Sequence, residues 1–102
     1  MRHRRVILLA SAENDLFSIE DWLTEVASPA VAERYVDRIV RHLEKLEYAS
    51  ERGTVRNEKT GLRLIGLMDG ISVAFIVNSE SVSIQRVLYR GQNLRTDEPD
   101  DD

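Results

Sequence analysis

Four residues in the second half of the chain have the types that could act on a phosphodiester: Arg63, Arg86, Tyr89 and Arg90. Arginine carries a planar, permanently charged fork that fits phosphate or carboxylate oxygens, and a tyrosine hydroxyl can donate a proton. Cleaving RNA without a metal needs such cations, an acid for the leaving group and a base for the 2′-hydroxyl. Arg63, Arg86 and Tyr89 are candidates for the first two roles, and no residue presents itself for the third. The only histidines are His3 and His42. His3 lies in a basic N-terminal stretch expected to fray, and His42 lies between Arg41 and Leu43 on a helix surface. Glu13, Asp15, Glu20 and Asp21 could pair as carboxylates, but helical spacing sets them on a solvated face. Arg63 and Arg86 also have a structural reading, since arginines in a half-buried sheet often bind a carboxylate of their own chain. That reading is favoured for Arg86, which alternates with Val82, Ile84 and Leu88. The chain has no cysteine, no metal-ligand spacing, no Gly-rich phosphate loop and no nucleophile motif, so no metal or cofactor is expected.

These residues sit on a run of strands. Leu62 to Met68 and Ile71 to Val77 flank Asp69-Gly70, whose residues tolerate the positive φ of a two-residue hairpin turn. Asn78-Ser79-Glu80 makes the next turn, and Val82 to Tyr89 forms a third strand. By strict alternation Val82, Ile84, Arg86 and Leu88 share one face, and Ser83, Gln85, Val87 and Tyr89 the other. The apolar face of such a meander must be covered. Upstream, Val6 to Ala10 reads as a short strand. Ser11 is a candidate N-cap, and Ala12, Leu16, Ile19, Leu23 and Val26 then recur at helical spacing. Ser28-Pro29 ends that helix and starts another, whose face is Ala32, Val36, Ile39, Leu43 and Leu46. Phe17 and Trp22 flank the first apolar stripe, either as core or as anchors for a partner. Ala49 to Thr60 reads as an exposed polar loop. The expected fold is α+β, ordered strand–helix–helix–strand–strand–strand. A helical hairpin covers one face of a mostly antiparallel four-stranded sheet, and parity does not say which edge the first strand joins.

At 102 residues, 42% hydrophobic and 31% charged, the chain has the composition of one ordinary globular domain. No apolar run is long enough to span a bilayer, and Val6 to Ala10 is too short for the core of a signal peptide. Absence of cysteine suits a reducing cytoplasm. The net charge of −4 comes from the five acids of DEPDDD at residues 97–102, and the rest of the chain holds 14 basic against 13 acidic residues. The expected division is a domain over residues 1–95 and a disordered, solubilising acidic tail over residues 96–102.

Several short patterns together resemble the ParE branch of the RelE/ParE superfamily, the toxins of bacterial toxin–antitoxin pairs. Ala12-Glu13-Asn14-Asp15-Leu16 is similar to that family's opening of its first helix, and Ser28-Pro29 to the start of its second. Gly61-Leu62-Arg63 resembles its G-x-R strand start. Ile84 to Leu94 resembles its closing pattern, with Tyr89 where relatives carry His and Gln92-Asn93 where they carry an Arg-Asp pair. Phe75 stands where many relatives place Tyr, and is followed by Ile76 rather than a basic residue. The likeness covers about residues 5 to 94.

The resemblance implies a cytoplasmic toxin that poisons DNA gyrase by binding it and is neutralised by a cognate, ParD-like antitoxin. No membrane association is expected, nor sequence-specific DNA binding by the toxin alone. On this reading Arg86, Tyr89, Arg90, Gln92 and Asn93 form the target-binding surface, and Phe17 and Trp22 contact the antitoxin. The alternatives are a RelE-like, ribosome-dependent messenger-RNA endoribonuclease, whose cationic set is thin here, and a toxin-fold protein that only binds a partner.

Overall fold

Local pattern produces the expected elements, and pairing at the sheet edge adds one strand. The computed structural model describes residues 3–49 and 53–89. In chain order the elements are β1 (Arg5–Leu8), α1 (Ala10–Val26), α2 (Pro29–Glu44), α3 (Leu46–Ala49), β2 (Thr54–Asn57), β3 (Leu62–Met68), β4 (Ile71–Val77) and β5 (Ser81–Tyr89). They form one sheet of five strands, ordered β1-β5-β4-β3-β2, with the hairpin α1–α2 packed on it. The arrangement is α+β.

The strand count of four is corrected to five. β2 lies within the stretch expected to be an exposed loop and pairs antiparallel with β3, Val55 opposite Arg63. Its residues are exposed or half-buried. An edge strand of this kind is defined by its ladder and not by burial, so it leaves no alternating signature. The turn after it closes locally: the Asn57 side chain accepts from the amides of Lys59 and Thr60 at 3.0 and 3.3 Å. β1 joins the opposite edge, parallel to β5, in a register from Arg5–Ser81 to Leu8–Ile84. The backbone amide of Arg4 donates to Glu47 O, and the His3 ring bonds the Glu47 carboxylate. His3 is therefore tied to α3 rather than frayed.

Two helix readings also change. Leu9, not Ser11, is the N-cap of α1; it is extended and offers no side-chain cap. Val26 is 60% exposed in the last turn of α1, leaving Ala12, Leu16 and Ile19 as that helix's buried residues. The α2 start is as expected, with Pro29 at the first position and Ser28 Oγ accepting from Val31 N at 3.1 Å. The core joins these helices, with Ile39 and Leu43, and Leu46 of α3 to Ile71, Val73 and Phe75 of β4 and to Val82, Ile84 and Val87 of β5.

Val87 belongs to that core because β5 does not alternate strictly. Ile84 pairs with Phe75 and Arg86 with the adjacent Ala74, which leaves Gln85 as an extra residue in a bulge. One inserted residue reverses the facing of every later residue in the strand. Val87 and Tyr89 thus turn toward the helices with Val82 and Ile84, and the expected Val82–Ile84–Arg86–Leu88 face is broken at its midpoint.

Candidate functional site

The bulge in β5 coincides with the point where β1 leaves it. Leu9 N donates to Ile84 O at 3.1 Å, and the chain then enters α1. Beyond Ile84, the groups that a neighbouring strand would satisfy are met by side chains of α1 instead. Ser11 Oγ donates to Gln85 O at 2.6 Å. Asp15 Oδ2 accepts from Val87 N at 2.8 Å. Ser11 and Asp15 are one turn apart on the same helix flank, which is why both reach one strand.

Asp15 also grips Arg86 with both oxygens. Arg86 Nε donates to Oδ2 at 2.7 Å and Nη2 to Oδ1 at 2.9 Å, the parallel geometry in which guanidinium–carboxylate pairs are strongest. The Asp15 side chain is 15% exposed and that of Arg86 39%. Asp15 is therefore not on a solvated face, as its spacing suggested. The hydrogen bond to Asp15 raises the Arg86 pKa above the ordinary arginine value; burial opposes the shift and the attraction of the carboxylate adds to it. The guanidinium is thus held charged and is not a proton donor.

Two turns further along the same flank, Trp22 packs on Tyr89, ring centroids 5.1 Å apart and tilted by 55°. Tyr35 of α2 meets Tyr89 edge to face at 6.1 Å and 89°, and its hydroxyl donates to Asp69 O at 3.3 Å. Offset and edge-to-face rings are favourable arrangements for aromatic quadrupoles. The end of β5 is boxed by one residue from each helix of the hairpin.

Arg63 stands elsewhere. It pairs with Phe75, which pairs with Ile84, so it lies across the sheet from the start of the bulge and away from Tyr89. It shares a cavity of about 330 Å³ with Arg4, Val55, Gly61, Val77, Asn78 and Ser79. Arg4 is 9% exposed and its Nε donates to Asn78 O at 2.9 Å. His42 Nδ1 meets Arg38 O at 2.8 Å within α2, so neither histidine is placed beside Tyr89. Among the described residues no three His, Cys, Asp or Glu are grouped as metal ligands, and no helix is long and apolar enough to cross a membrane.

The structure therefore ties Arg86 and Tyr89 to the same helix, α1, through Asp15 and Trp22, and leaves Arg63 apart. Phe17 and Trp22 are both exposed, at 62% and 44%, but on different sides of α1. Arg90, Gln92, Asn93 and the acidic tail lie outside the described residues. Sequence reasoning missed Ser11, Asp15, Tyr35 and Arg4. The spacing of Ser11, Asp15 and Trp22, which places all three on one flank of α1, was the available signal.

Comparison with known proteins bears on the family and the fold. The family model described as "ParE toxin of type II toxin-antitoxin system, parDE" matches residues 6–94. The chain belongs to the ParE toxin family. The matched span of this ParE chain carries both helices of the hairpin, the whole β2–β5 meander and the Asp15–Arg86 pair. Among solved structures it is similar to the chromosomal ParDE TA system from P. aeruginosa. The identity is 24%, the TM-score 0.74, and the alignment covers 85% of this chain and 96% of that one. At that identity the likeness is one of fold. None of the curated proteins matches.

Proposed function

We propose that this ParE chain is a cytoplasmic toxin that inhibits DNA gyrase by direct binding and is held inactive by a cognate, ParD-like antitoxin. The target surface is the end of β5 and the residues after it, from Arg86 through Tyr89 and Arg90 to Gln92 and Asn93. The antitoxin covers the outer face of the helical hairpin, including Phe17 and Trp22. One observation carries the reading beyond the family: Arg86 is committed to Asp15, and the Tyr89 ring is packed between Trp22 and Tyr35. Cations and tyrosines poised for proton transfer need an approach to substrate and a basic partner. An anchored, aromatic strand end suits a binding surface better.

A RelE-like endoribonuclease is the second reading, favoured by the cavity that brings Arg4 and Arg63 together. Growth arrest on induction, a gyrase supercoiling assay and a ribosome-bound RNA cleavage assay separate the two. For a binder, Tyr89→Phe is nearly silent because the ring is kept, and charge reversal at Arg90 weakens gyrase inhibition by slowing encounter. Codon-dependent RNA cleavage that Tyr89→Phe reduces about 100-fold, with supercoiling untouched, would replace the first reading by the second.

A further inference from the structure

We infer that Asp15 is a positioning residue for the target-binding end of β5, acting through the bulge and never touching the target itself. The inference rests on the reading that this strand end is the target surface. Three observations carry it. First, β1 supports β5 only as far as Ile84, so the terminal part of β5 lacks that strand on its outer side. Second, Asp15 replaces the missing support with three hydrogen bonds at once, to Val87 N and to two nitrogens of Arg86. Third, these contacts fall immediately after the extra residue, Gln85, where the facing of the strand is decided.

A bulge re-aims the strand beyond it. With Gln85 inserted, Val87 and Tyr89 face the helices, and Tyr89 settles against Trp22. Without the insertion, the alternation would turn Val87 and Tyr89 to the opposite face. The carboxylate spans the two residues after the extra one and grips them in this arrangement. At 15% side-chain exposure Asp15 offers little surface to a macromolecular target, so its influence passes through Arg86 and Val87. Ser11, one turn earlier, holds the carbonyl of Gln85 and completes the brace.

Trp22 is the only tryptophan of the chain, so its emission reports where Tyr89 lies. The test is Asp15→Asn in the full chain, with Glu13→Gln, an exposed acid of the same helix turn, as the control. Asparagine keeps the shape and one acceptor but loses the charge and the two-oxygen grip on Arg86. Circular dichroism first confirms that both variants are folded at the temperature used.

The expected result is a shifted Trp22 emission and a roughly tenfold loss of gyrase inhibition in Asp15→Asn, with neither change in Glu13→Gln. In the emission readout Arg86→Gln should add little to Asp15→Asn, because the two hold the strand end as one unit. Should Asp15→Asn not fold, Arg86→Lys serves in its place: it keeps the charge and removes the fork. An unchanged Trp22 emission in a folded variant overturns the positioning role, whatever the target proves to be. A shifted emission with full gyrase inhibition severs the brace from function and overturns the proposal as well. If the wild-type chain leaves supercoiling untouched, the gyrase reading fails, and the emission still decides whether Asp15 sets the strand end.

Discussion

Truncating Phe17 gives the sharpest test of the antitoxin surface, because its exposed area converts directly into an expected affinity. Phe17 is 62% exposed on α1. An aromatic side chain offers about 150–250 Å² for burial, so a partner could cover roughly 100–150 Å² of this one. At about 25 cal/mol per Å² that is an upper figure of roughly 3 kcal/mol, or about a hundredfold in Kd. Ordering costs on binding reduce it, so Phe17→Ala should weaken the complex by about 10- to 100-fold. The folded chain should barely notice, because the side chain has little protein around it. Trp22 behaves differently. It is 44% exposed, and the remainder packs on Tyr89. Trp22→Ala should weaken the antitoxin by a smaller factor and also cost on the order of 1–2 kcal/mol of stability.

Five residues of α-helix place Phe17 and Trp22 about 140° apart around the axis, so a partner touching both must pass over the outer face. That face carries Asp21 and Glu25, which favours a partner with basic groups between two apolar anchors. Isothermal titration of each variant with the cognate antitoxin, beside thermal melts, reads both quantities. A Kd for Phe17→Ala within twofold of wild type would refute this placement of the antitoxin.

Phe75 is fully buried at the centre of β4, so Phe75→Ala should lower unfolding stability by about 3–5 kcal/mol, measured as a lower urea midpoint. Gly53 has φ +90°, and a Cβ there would meet Leu64 O at 2.7 Å, so Gly53→Ala should cost at least about 1 kcal/mol. At Gly66 a Cβ meets nothing within 4 Å, and Gly66→Ala should change stability by less than about 1 kcal/mol in the same titration. Arg86 has its folded pKa raised, first by the hydrogen bond to Asp15, so its contribution is present below the ordinary arginine range and is lost only as pH rises through the folded value. The stability difference between wild type and Arg86→Gln should therefore stay flat from neutral to moderately alkaline pH, and a slope there would contradict the assignment.

Much of this protein was written locally. Asp69-Gly70 turns the β3–β4 hairpin because Gly70 takes a positive φ of 83°, and Ser28-Pro29 starts α2 because the hydroxyl caps and the ring pre-sets φ. The apolar spacings of α1 and α2 placed Ala12, Leu16, Ile19, Ile39 and Leu43 in the core, since a helix face depends only on its own residues. The types in the candidate site were also legible: Arg86, Tyr89 and Trp22 stood out by charge and ring. Their partners were not. Asp15 and Arg86 are 71 residues apart, and an acidic residue on a helix looks solvated until another element is laid beside it. Tertiary structure alone decided that β1 runs parallel to β5 and that a polar stretch completes the sheet as β2. It also decided that Gln85 bulges and turns Val87 and Tyr89 toward the helices. Each depends on where two strands begin and stop pairing. That is settled by the summed fit of ladder hydrogen bonds and buried faces, and no single stretch of the chain carries it.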